Sequence, residues 1–374
     1  MKQGWEYKKI GNICNISTGK LDANAANEDG LYPFFTCSRI PLSINTYAYD
    51  CECILIAGNG DLNVKYYNGK FNAYQRTYIL QLKIDVNGVD MRYIFAFFNL
   101  YIEELRQKSI GGIIKYIKLG DLTNALLPLP DITTQLSIVS ELDKINELIR
   151  LKKEQLKDYD NLAQSIFYEM FGDPVENEKG WKVRLLKELC TKIGSGATPK
   201  GGNESYKQEG TALIRSLNVY NNEFRVKDLA FIDNAQAAAL NNVTIEEQDV
   251  LLNITGASVA RCCIVPTEIL PARVNQHVCI LRHGNNLYAI YLNRLFTNNS
   301  YQRLLQRLSK SKAATREALP KSIVDKLPIP LPSLPLQHLF AQRIDQIEHQ
   351  KSAVQKSITD LETLLASRMQ YWFE

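Results

Sequence analysis

The chain has 374 residues, of which 45% are hydrophobic and 22% charged, and a formal net charge of +4. This length is too great for one ordinary core and predicts two or more domains, and the composition excludes a disordered or fibrous chain. No stretch resembles a signal peptide or reaches the roughly 20 apolar residues of a membrane span, so we expect a cytoplasmic protein.

Metal binding is not indicated by the sequence. The eight cysteines show no C-x-x-C spacing, and only four histidines could complete a zinc site. Metal centres of that kind depend on closely spaced ligand pairs. We therefore expect no metal site and interpret the cysteines as buried free thiols.

Residues 1–130 form the first predicted globular segment, called here the first head. Short apolar runs such as CILIA (53–57) and TYILQL (77–82) alternate with glycine and asparagine turns, which is typical of buried strands in a mixed domain. The segment closes with LLPLPDITTQ (126–135). This stretch predicts the end of a strand, a rigid proline turn and a helix start capped by Asp131.

Residues 131–172 are predicted to form one long helix, which Gly172 ends. Its apolar positions follow alternating spacings of four and three, the a/d seam of a coiled coil. The seam consists of Ile138, Leu142, Ile145, Ile149, Leu156, Tyr159 and Ile166.

Residues 173–332, the second head, repeat the mixed pattern with runs such as DVLLNI (249–254) and HVCILR (277–282). The segment closes with LPIPLPSLPLQ (327–337) and leads into a second long helix over residues 333–374, with Ser333 as its predicted N-cap. The second seam consists of Phe340, Ile344, Ile347, Val354, Ile358, Leu361 and Leu365.

The chain is an internal duplication. A shift of 202 residues places Gln135 on Gln337 and matches about 45 residues around each proline turn and helix. The head openings GWEYKKIGNIC (4–14) and GWKVRLLKELC (180–190) match at a shift of 176, so the second copy has gained about 26 residues, mostly before its glycine turn. The ends of each copy are similar, whereas the middle has diverged.

The two helices are predicted to pair with each other. About 40 residues give a helix of about 60 Å, which is longer than one domain needs for its own core. We expect an α+β fold in which two mixed α/β heads, related by a pseudo-twofold axis, are separated by two long helices that form an antiparallel coiled coil. The alternative is that each helix packs only on its own head. Two heads held at a fixed distance suit an extended ligand such as duplex DNA, and the net charge of +4 permits this without requiring it.

Catalytic motifs are absent from the sequence. It contains no G-x-x-x-x-G-K-[ST] loop for ATP, and its single acid-x-Lys, Glu6-Tyr7-Lys8, has no upstream acid to complete a nuclease site. It also has no Pro-Pro pair for the tetrapeptide of an adenine methyltransferase. We therefore expect no enzymatic activity in this chain.

In their order and repetition, the motifs resemble the specificity (S) subunits of type I restriction-modification systems. The resemblance rests on LPLPDITTQLSIVSELDKI and IPLPSLPLQHLFAQRIDQI, on the paired Gly-Trp openings, on GSGATPKGGNESYKQEGTALIRSLNV (194–219), and on VLLNITGASVARCCIV followed by RVNQHVCIL. It spans essentially the whole chain. The first head departs from the pattern because it is compact and lacks the long Thr-Pro segment of the second.

This resemblance implies a non-catalytic subunit with two target-recognition domains, each of which reads one half of an asymmetric, bipartite site in double-stranded DNA. It further implies that the helices set the spacing and dock two methyltransferase subunits, and that two restriction/translocase subunits join the full complex. S-adenosylmethionine, ATP and Mg would then be cofactors of the partner subunits, with none in this chain. The seam residues named above are the expected coiled-coil and partner-docking positions.

Within the heads we expect DNA contacts from polar residues that flank glycine turns or follow strand ends, because Gln can bind adenine and Arg can bind guanine or phosphate. The candidates are Arg39, Asn59, Lys65, Tyr66, Gln75, Arg76, Lys108 and Lys115 in the first head, and Lys200, Arg215, Asn218, Ser258, Arg261, Asn275, Gln276, His277, Lys310, Lys312 and Arg316 in the second. Each could instead be a solvated charge or a structural turn residue.

Two alternatives stay open at the sequence level. One is a coiled-coil scaffold that only joins proteins, which salt-dependent binding to duplex DNA would exclude. The other is the DNA-reading subunit of a related modification system with a different catalytic partner.

Overall fold

The computed structural model describes residues 4–112, 114–199, 201–310 and 317–374, with no side-chain description for residue 203. The chain divides into two compact units, Met1–Glu154 with Gln355–Glu374, and Gln155–Val354. Each unit therefore contains one head together with parts of both long helices. Among the described residues, no helix is long and apolar enough to cross a membrane.

In its described residues, the first head has eight strands and three helices. In chain order they are β1 (Glu6–Lys9), α1 (Ile10–Ile13), β2 (Cys14–Thr18), β3 (Tyr32–Phe35), β4 (Leu42–Ile44), β5 (Tyr49–Ala57), β6 (Val64–Ala73), β7 (Thr77–Leu82), α2 (Met91–Lys108), α3 (Leu119–Thr123) and β8 (Leu126–Leu129), with a 3-10 turn at Ala23–Ala25. Helix α4 (Ile132–Phe171) follows.

The second head has eleven strands and five helices in its described residues. They are β9 (Lys182–Leu185), α5 (Leu186–Leu189), β10 (Cys190–Ser195), β11 (Thr211–Ile214), β12 (Val219–Tyr220), β13 (Glu223–Phe224), β14 (Ala230–Ile232), α6 (Asn234–Ala239), β15 (Val250–Asn253), β16 (Cys262–Ile264), β17 (Ala272–Val274), β18 (Val278–His283), α7 (Ala289–Phe296), α8 (Asn299–Ser309), α9 (Lys321–Val324) and β19 (Pro328–Leu331). Helix α10 (Leu334–Phe373) ends the described chain.

The two heads share one order of strand pairing, which forms a single sheet in the first head and two sheets in the second. The first has a sheet of order β2-β7-β5-β6-β3-β4, and the second has a sheet of order β10-β18-β15-β16 next to a smaller sheet of order β14-β11-β17. In each head a parallel pair recurs, with Phe35 opposite Ala73 and Ile214 opposite Val274. The proline-containing strands β8 and β19 pair with the opening strands β1 and β9. The duplication seen in the sequence is therefore a duplication of fold.

The central strand of the first head is apolar on both faces because it is covered on both sides. Ile54 and Ile56 of β5 belong to the core under α2, whereas Cys53 and Leu55 belong to a separate cluster on the other face. All eight cysteines of the chain are free, and five of them are buried. Among the described residues, no group of three or more His, Cys, Asp or Glu side chains could hold a metal ion.

A buried glutamine fixes each long helix to its head. Gln135 is fully buried, accepts from the Asp90 backbone N–H at 3.0 Å, and donates to the carbonyl oxygens of Gly88 at 3.0 Å and Pro130 at 2.8 Å. Helix α4 thereby begins at a position held by three hydrogen bonds to the preceding head.

Gln337 repeats the arrangement at the start of α10. It is also fully buried, accepts from the Tyr288 N–H at 2.9 Å, and donates to the carbonyl oxygens of Asn286 at 3.3 Å and Pro332 at 2.9 Å. Because one buried amide side chain both accepts and donates hydrogen bonds to three backbone groups, neither an aliphatic residue nor a carboxylate can replace all of its bonds.

The far end of each helix packs on a head through aromatic residues. In the first unit, the ring of Phe373 lies 5.1 Å from that of Tyr93, whose hydroxyl donates to the Pro128 carbonyl at 2.7 Å. In the second unit, Phe171 lies 4.9 Å from Tyr291. Since Phe373 is the last residue of α10 and packs on the first head, the helices do not pack only on their own heads.

The helix segments within each unit run antiparallel. In the first unit, Glu141 accepts from Arg368 and from Trp372 Nε1 at 3.0 Å, and Lys153 Nζ lies 2.7 Å from Glu362 Oε1. Residues further along α4 therefore contact residues that come earlier in α10, as expected for antiparallel helices. In the second unit, Asp160 pairs with Lys351 at 2.7 Å, and the ring centroids of Phe167 and Phe340 lie 5.7 Å apart. These contacts show the same antiparallel direction.

Candidate nucleic-acid interface

Three loops meet at one edge of the first head. They are the glycine turn (58–61), the glutamine loop (74–77) and the late loop (109–117, of which residue 113 lies outside the described residues). Gly58 N–H donates to the Arg76 carbonyl at 2.8 Å, Gly60 N–H donates to the Lys115 carbonyl at 3.0 Å, and Ile117 N–H donates to the Gly58 carbonyl at 3.0 Å. These three backbone hydrogen bonds leave the side chains of Arg76 and Lys115 free to point away from the loops, and both residues are exposed.

The second head contains the same cluster. Its glycine turn (254–261), glutamine loop (275–278) and late loop (310–319, of which 311–316 are outside the described residues) are joined by three matching bonds. Ile254 N–H donates to the His277 carbonyl at 3.0 Å, Gly256 N–H donates to the Glu317 carbonyl at 2.9 Å, and Leu319 N–H donates to the Ile254 carbonyl at 2.8 Å. Both heads therefore present three loops on one scaffold.

Glycines at matched positions are required by this geometry. Gly60 and Gly256 have φ of +70° and +73°, which disfavours any residue with a Cβ. A Cβ on Gly19 would lie 2.1 Å from the Ala73 carbonyl oxygen, and one on Gly196 would lie 1.8 Å from that of Val274. The backbone after β2 and after β10 therefore approaches the end of the strand before each glutamine loop too closely for any side chain.

The two glutamines of the glutamine loops occupy equivalent, exposed places. Gln75 Nε2 lies 3.5 Å from Asp22 Oδ2, and Gln276 accepts a hydrogen bond from the Thr198 hydroxyl. Asp22 and Thr198 are themselves separated by the same 176 residues that relate the head openings. Each glutamine is thus oriented by a short polar side chain, which lies just after β2 in the first head and just after β10 in the second.

The charged residues around the first glycine turn form a network. Arg39 binds Asp61 through Nε at 2.7 Å and Nη2 at 3.2 Å, and Arg106 Nη2 lies 3.8 Å from the same carboxylate. Hydrogen bonding and charge from Arg39 lower the pKa of Asp61. Burial lowers the pKa of Lys65, whose amine donates to Asn63. Arg39 and Lys65 therefore lie at the cluster with restricted orientation.

Asn59, Arg76 and Lys115 belong to the first cluster directly. Asn59 accepts from the Cys37 thiol at 2.9 Å and pairs through its backbone with Tyr116. The backbone carbonyls of Arg76 and Lys115 hold the glycine turn, as described above, and both side chains are exposed.

Two candidates of the first head lie elsewhere. Tyr66 donates to Glu52 at 2.7 Å and lines a cavity of about 180 Å³ that also includes Leu142 and Leu365 of the long helices. Lys108 ends α2, where it contacts Glu104 and the Tyr101 hydroxyl at 3.1 Å. Their positions favour a structural role at the helix side of the head over DNA contact.

Two asparagines of the second head are buried. Asn218 is fully buried, accepts from the Arg215 N–H at 3.1 Å and donates to the Arg225 carbonyl at 2.8 Å. Asn275 is 4% exposed and accepts from the His277 N–H at 3.0 Å. A side chain so enclosed cannot reach a base edge, so Asn218 and Asn275 shape the turns that carry other residues.

The remaining described candidates of the second head lie at or beside the cluster. Ser258 and Arg261 are in the glycine turn, Gln276 and His277 are in the glutamine loop, and Lys310 opens the late loop. His277 Nδ1 lies 2.6 Å from the Thr255 hydroxyl. Arg215 lies at the end of β11, with its guanidinium 5.2 Å from the Tyr206 ring. Lys200, Lys312 and Arg316 lie outside the described residues.

The sequence reasoning missed residues that organise these cations. Asp61, which holds Arg39, and Tyr220, over whose ring Arg261 lies at 4.3 Å, were not singled out. Tyr220 belongs to the segment gained by the second copy, so no repeat signal could identify it. The stretch VYNNEF (219–224), an Asn-Asn turn between apolar residues, was the available sign of a hairpin.

The seam residues separate into buried and half-buried positions. Those that are buried are Ile138, Leu142, Ile145, Ile149, Phe340, Ile344, Ile347, Val354 and Ile358, and the half-buried ones are Leu156, Tyr159, Ile166, Leu361 and Leu365. Other leucines of the same helices point outward, with 51% exposure at Leu136, 47% at Leu148 and 46% at Leu162.

Comparison with known proteins agrees with this architecture. Residues 2–158 and 178–363 match the family described as type I restriction modification DNA specificity domain. The chain is 25% identical over 383 residues to the type I restriction enzyme EcoDI specificity subunit of Escherichia coli, covering 95% of this chain and 84% of that protein.

Two solved structures share the fold along their whole length. The type I restriction-modification S subunit from M. genitalium has a TM-score of 0.57 at 14% identity, covering 100% of this chain and 98% of that one. A chain solved in a study of complex assembly and conformational transition of the type I R-M system has a TM-score of 0.60 at 20% identity, with the same coverage. Since the family match covers most of both copies, the chain belongs to the type I restriction-modification DNA specificity family.

Proposed function

We propose that the chain is the non-catalytic DNA-recognition subunit of a type I restriction-modification complex, and that each head reads one half of a bipartite asymmetric site in duplex DNA. The observation that carries this proposal is the cluster of three loops, which is held by the same three backbone hydrogen bonds in both heads. A ligand that engages both clusters must offer two separate places, as two half-sites on a duplex do.

The side chains on the two clusters differ, which supports reading of two different half-sites. The first carries Arg39, Arg76 and Lys115, and the second carries Ser258, Arg261 and His277. Equivalent places hold Gln75 and Gln276, and a glutamine amide can bind adenine N6 and N7. Two equivalent backbone scaffolds that carry different hydrogen-bond donors and acceptors would recognise two different DNA sequences.

The long helices are proposed to set the spacing between half-sites and to dock two methyltransferase subunits. The buried seam residues cannot make the docking contact, because their side chains are covered within each unit. The outward-facing leucines Leu136 and Leu148 of α4 are the better candidates, since they line one groove together and a contiguous exposed apolar surface marks an interface.

The remaining components are proposed to lie outside this chain. Two restriction/translocase subunits would join the complex, the methyltransferase subunits would bind S-adenosylmethionine, and ATP and Mg would serve the translocase and nuclease. The complex would work in the cytoplasm, where the DNA is. A scaffold without DNA binding would leave the repeated loop cluster unused.

A methylation map of the host genome tests the proposal. The gene would be present in one strain and deleted in another, and a strain with residues 1–127 exchanged for the first head of another family member would be mapped beside them. We expect a bipartite adenine-methylated motif that disappears on deletion and changes in one half only after the exchange. A change in both halves would refute independent reading by the two heads.

The spacing function has its own test. Insertion of one helical turn into each long helix, after Arg150 in α4 and at the facing part of α10, should lengthen the unread gap and leave both half-sites unchanged. An unchanged gap in a complex that still methylates would refute the proposal that the helices set the spacing.

A further inference from the structure

The second head contains a tyrosine that holds two arginines. The guanidinium carbon of Arg225 lies 3.6 Å from the centroid of the Tyr220 ring, and that of Arg261 lies 4.3 Å from the same centroid. Cation–π contacts over an aromatic face fall within about 6 Å, so both cations are in contact with one ring. Two like charges gathered on one side chain repel each other unless other groups offset the repulsion.

The two arginines differ in their remaining partners. Arg225 makes a bidentate pair with Glu223, through Nε at 2.8 Å and Nη2 at 3.0 Å. Within the described part of the chain, no ion pair to Arg261 is found. The carboxylate therefore neutralises Arg225, whereas Arg261 keeps its charge and its hydrogen-bonding fork.

The hairpin that carries Tyr220 is fixed to the strand that follows Arg261. Asn222 N–H donates to the Cys262 carbonyl at 2.9 Å, and the Cys262 N–H donates to Asn221 Oδ1 at 3.2 Å. Strands β12 and β13 pair across the turn, with Val219 opposite Phe224. The ring and Arg261 thus sit on backbone segments that are hydrogen-bonded to each other.

A second anchor joins the hairpin to α7. The Asn222 side-chain oxygen accepts from Asn293 Nδ2 at 2.8 Å and from the Thr297 hydroxyl at 3.0 Å, and Asn222 itself has a φ of +59°. Asparagine tolerates this left-handed conformation better than most residues. The hairpin is therefore a rigid insertion, docked at its turn.

We propose that Tyr220 is a positioning residue that presents Arg261 to a guanine in the half-site read by the second head. This inference rests on the proposed function. Arg261 belongs to the glycine turn, its N–H donates to the Ser258 carbonyl at 3.2 Å, and that turn is part of the three-loop cluster. A guanidinium fork binds guanine O6 and N7 in the major groove, and a fork already held in place loses less freedom on binding.

The hairpin also explains why the arrangement of Tyr220 and Arg261 occurs in the second head and has no counterpart among the described residues of the first. Fifteen residues (215–229) separate β11 from β14 in the second head, whereas six (36–41) separate the equivalent strands β3 and β4 in the first. The hairpin at 219–225 is therefore an insertion that adds a recognition device to one half of the duplication. The first head orients its own arginine differently, through the Asp61 carboxylate on Arg39. The two half-sites are thus approached by differently held arginines.

The test uses the chain assembled with its methyltransferase and labelled duplexes that carry the motif found by methylation mapping. Tyr220→Leu removes the ring and keeps an apolar side chain, whereas Tyr220→Phe keeps the ring as the matched control. We expect Tyr220→Leu to weaken binding about tenfold and Tyr220→Phe to stay within about twofold of the parent. Replacing one guanine of the second half-site by 7-deazaguanine, which lacks N7, should weaken the parent complex and leave an Arg261→Gln complex unaffected.

A merely structural tyrosine would give a different pattern. In an Arg261→Gln background, Tyr220→Leu should have no further effect on binding if the ring acts through Arg261, and an additional loss of about tenfold would overturn the inference. The inference would also be overturned if Tyr220→Leu weakened recognition of the two half-sites equally. If the parent complex binds no bipartite site at all, the proposed function fails; if it binds one and Tyr220→Leu binds equally well, only this inference fails. Should Tyr220→Leu not fold, Tyr220→Met, which also replaces the ring by an apolar side chain, takes its place in the same comparisons.

Discussion

Replacement of Gln135 by alanine should destabilise the first unit strongly. The change removes three hydrogen bonds, at 3.0, 3.0 and 2.8 Å, from a side chain with no solvent exposure. Each bond contributes about 1 kcal/mol net, and the Pro130 carbonyl, which belongs to a buried residue, costs about 1–3 kcal/mol when it is left unpaired. The expected loss in unfolding free energy is therefore about 3 kcal/mol or more, or a fall of roughly 6–12 °C in Tm for a unit of this size.

The duplication supplies a second measurement of the same quantity. Gln337 makes three equivalent bonds, at 2.9, 3.3 and 2.9 Å, and is equally buried. Gln337→Ala should therefore cost the second unit about as much as Gln135→Ala costs the first, within about 1 kcal/mol given the usual context dependence. Gln355→Ala, at an exposed position of α10, is the matched control and should change stability by less than about 0.5 kcal/mol.

Denaturant unfolding followed by circular dichroism measures these effects. Because the chain divides into two units, separate transitions are expected when only one unit is weakened, and a single-transition fit would then be inappropriate. The reasoning would be refuted if Gln135→Ala behaved like Gln355→Ala. It would also be refuted if one of the two buried glutamines proved dispensable and the other did not.

Three further predictions concern the interface, the helices and pH. Gly196→Ala should disrupt the second head because its Cβ would lie 1.8 Å from a carbonyl oxygen, whereas Gly194→Ala, two residues earlier in β10, meets nothing within 4 Å; soluble yield and Tm distinguish them. Ile145→Asp, at 7% exposure, should lower the Tm of the first unit, whereas Leu148→Asp, at 47%, should leave it intact and reduce methyltransferase binding in gel filtration. Hydrogen bonding to Arg368 lowers the pKa of Glu141 below the usual 4.5, so the ion pair stabilises the folded state fully above that pH and is lost as the pH falls through the lowered pKa. Glu141→Gln should therefore cost about 1 kcal/mol at pH 7 and progressively less as the pH is lowered below 4.5, measured by urea unfolding at each pH.

Much of the architecture could be predicted because it depends on periodic patterns. The a/d spacing predicted the two long helices, and they begin at Ile132 and Leu334, directly after the proline turns. Duplication itself was visible because residues that satisfy several backbone groups, such as Gln135 and Gln337, cannot be exchanged and so persist in both copies. The sequence did not predict their role, since three hydrogen bonds to distant backbone atoms leave no local pattern.

The candidate site was less predictable, for a physical reason. Polarity next to a glycine turn marks residues that could contact DNA, but burial separates them: Arg261 remains partly exposed, whereas Asn218 is enclosed by the turn it supports. Which of two polar residues faces outward depends on packing from parts of the chain that are distant in sequence. Tyr66 shows the same effect, because α2 and the long helices enclose it from the other side.

The pattern of divergence between the two copies follows from what each part must do. Residues that join a head to a helix have to satisfy the same backbone groups in both copies, so Gln135 and Gln337, with their proline turns, are repeated. The backbone of the three-loop cluster is also repeated, because its hydrogen bonds fix where side chains emerge. Only the side chains on the loops, and an insertion such as the Tyr220 hairpin, can change without disturbing that frame. A duplicated chain of this kind gains asymmetric recognition by varying the loops and leaves the assembly of heads and helices intact.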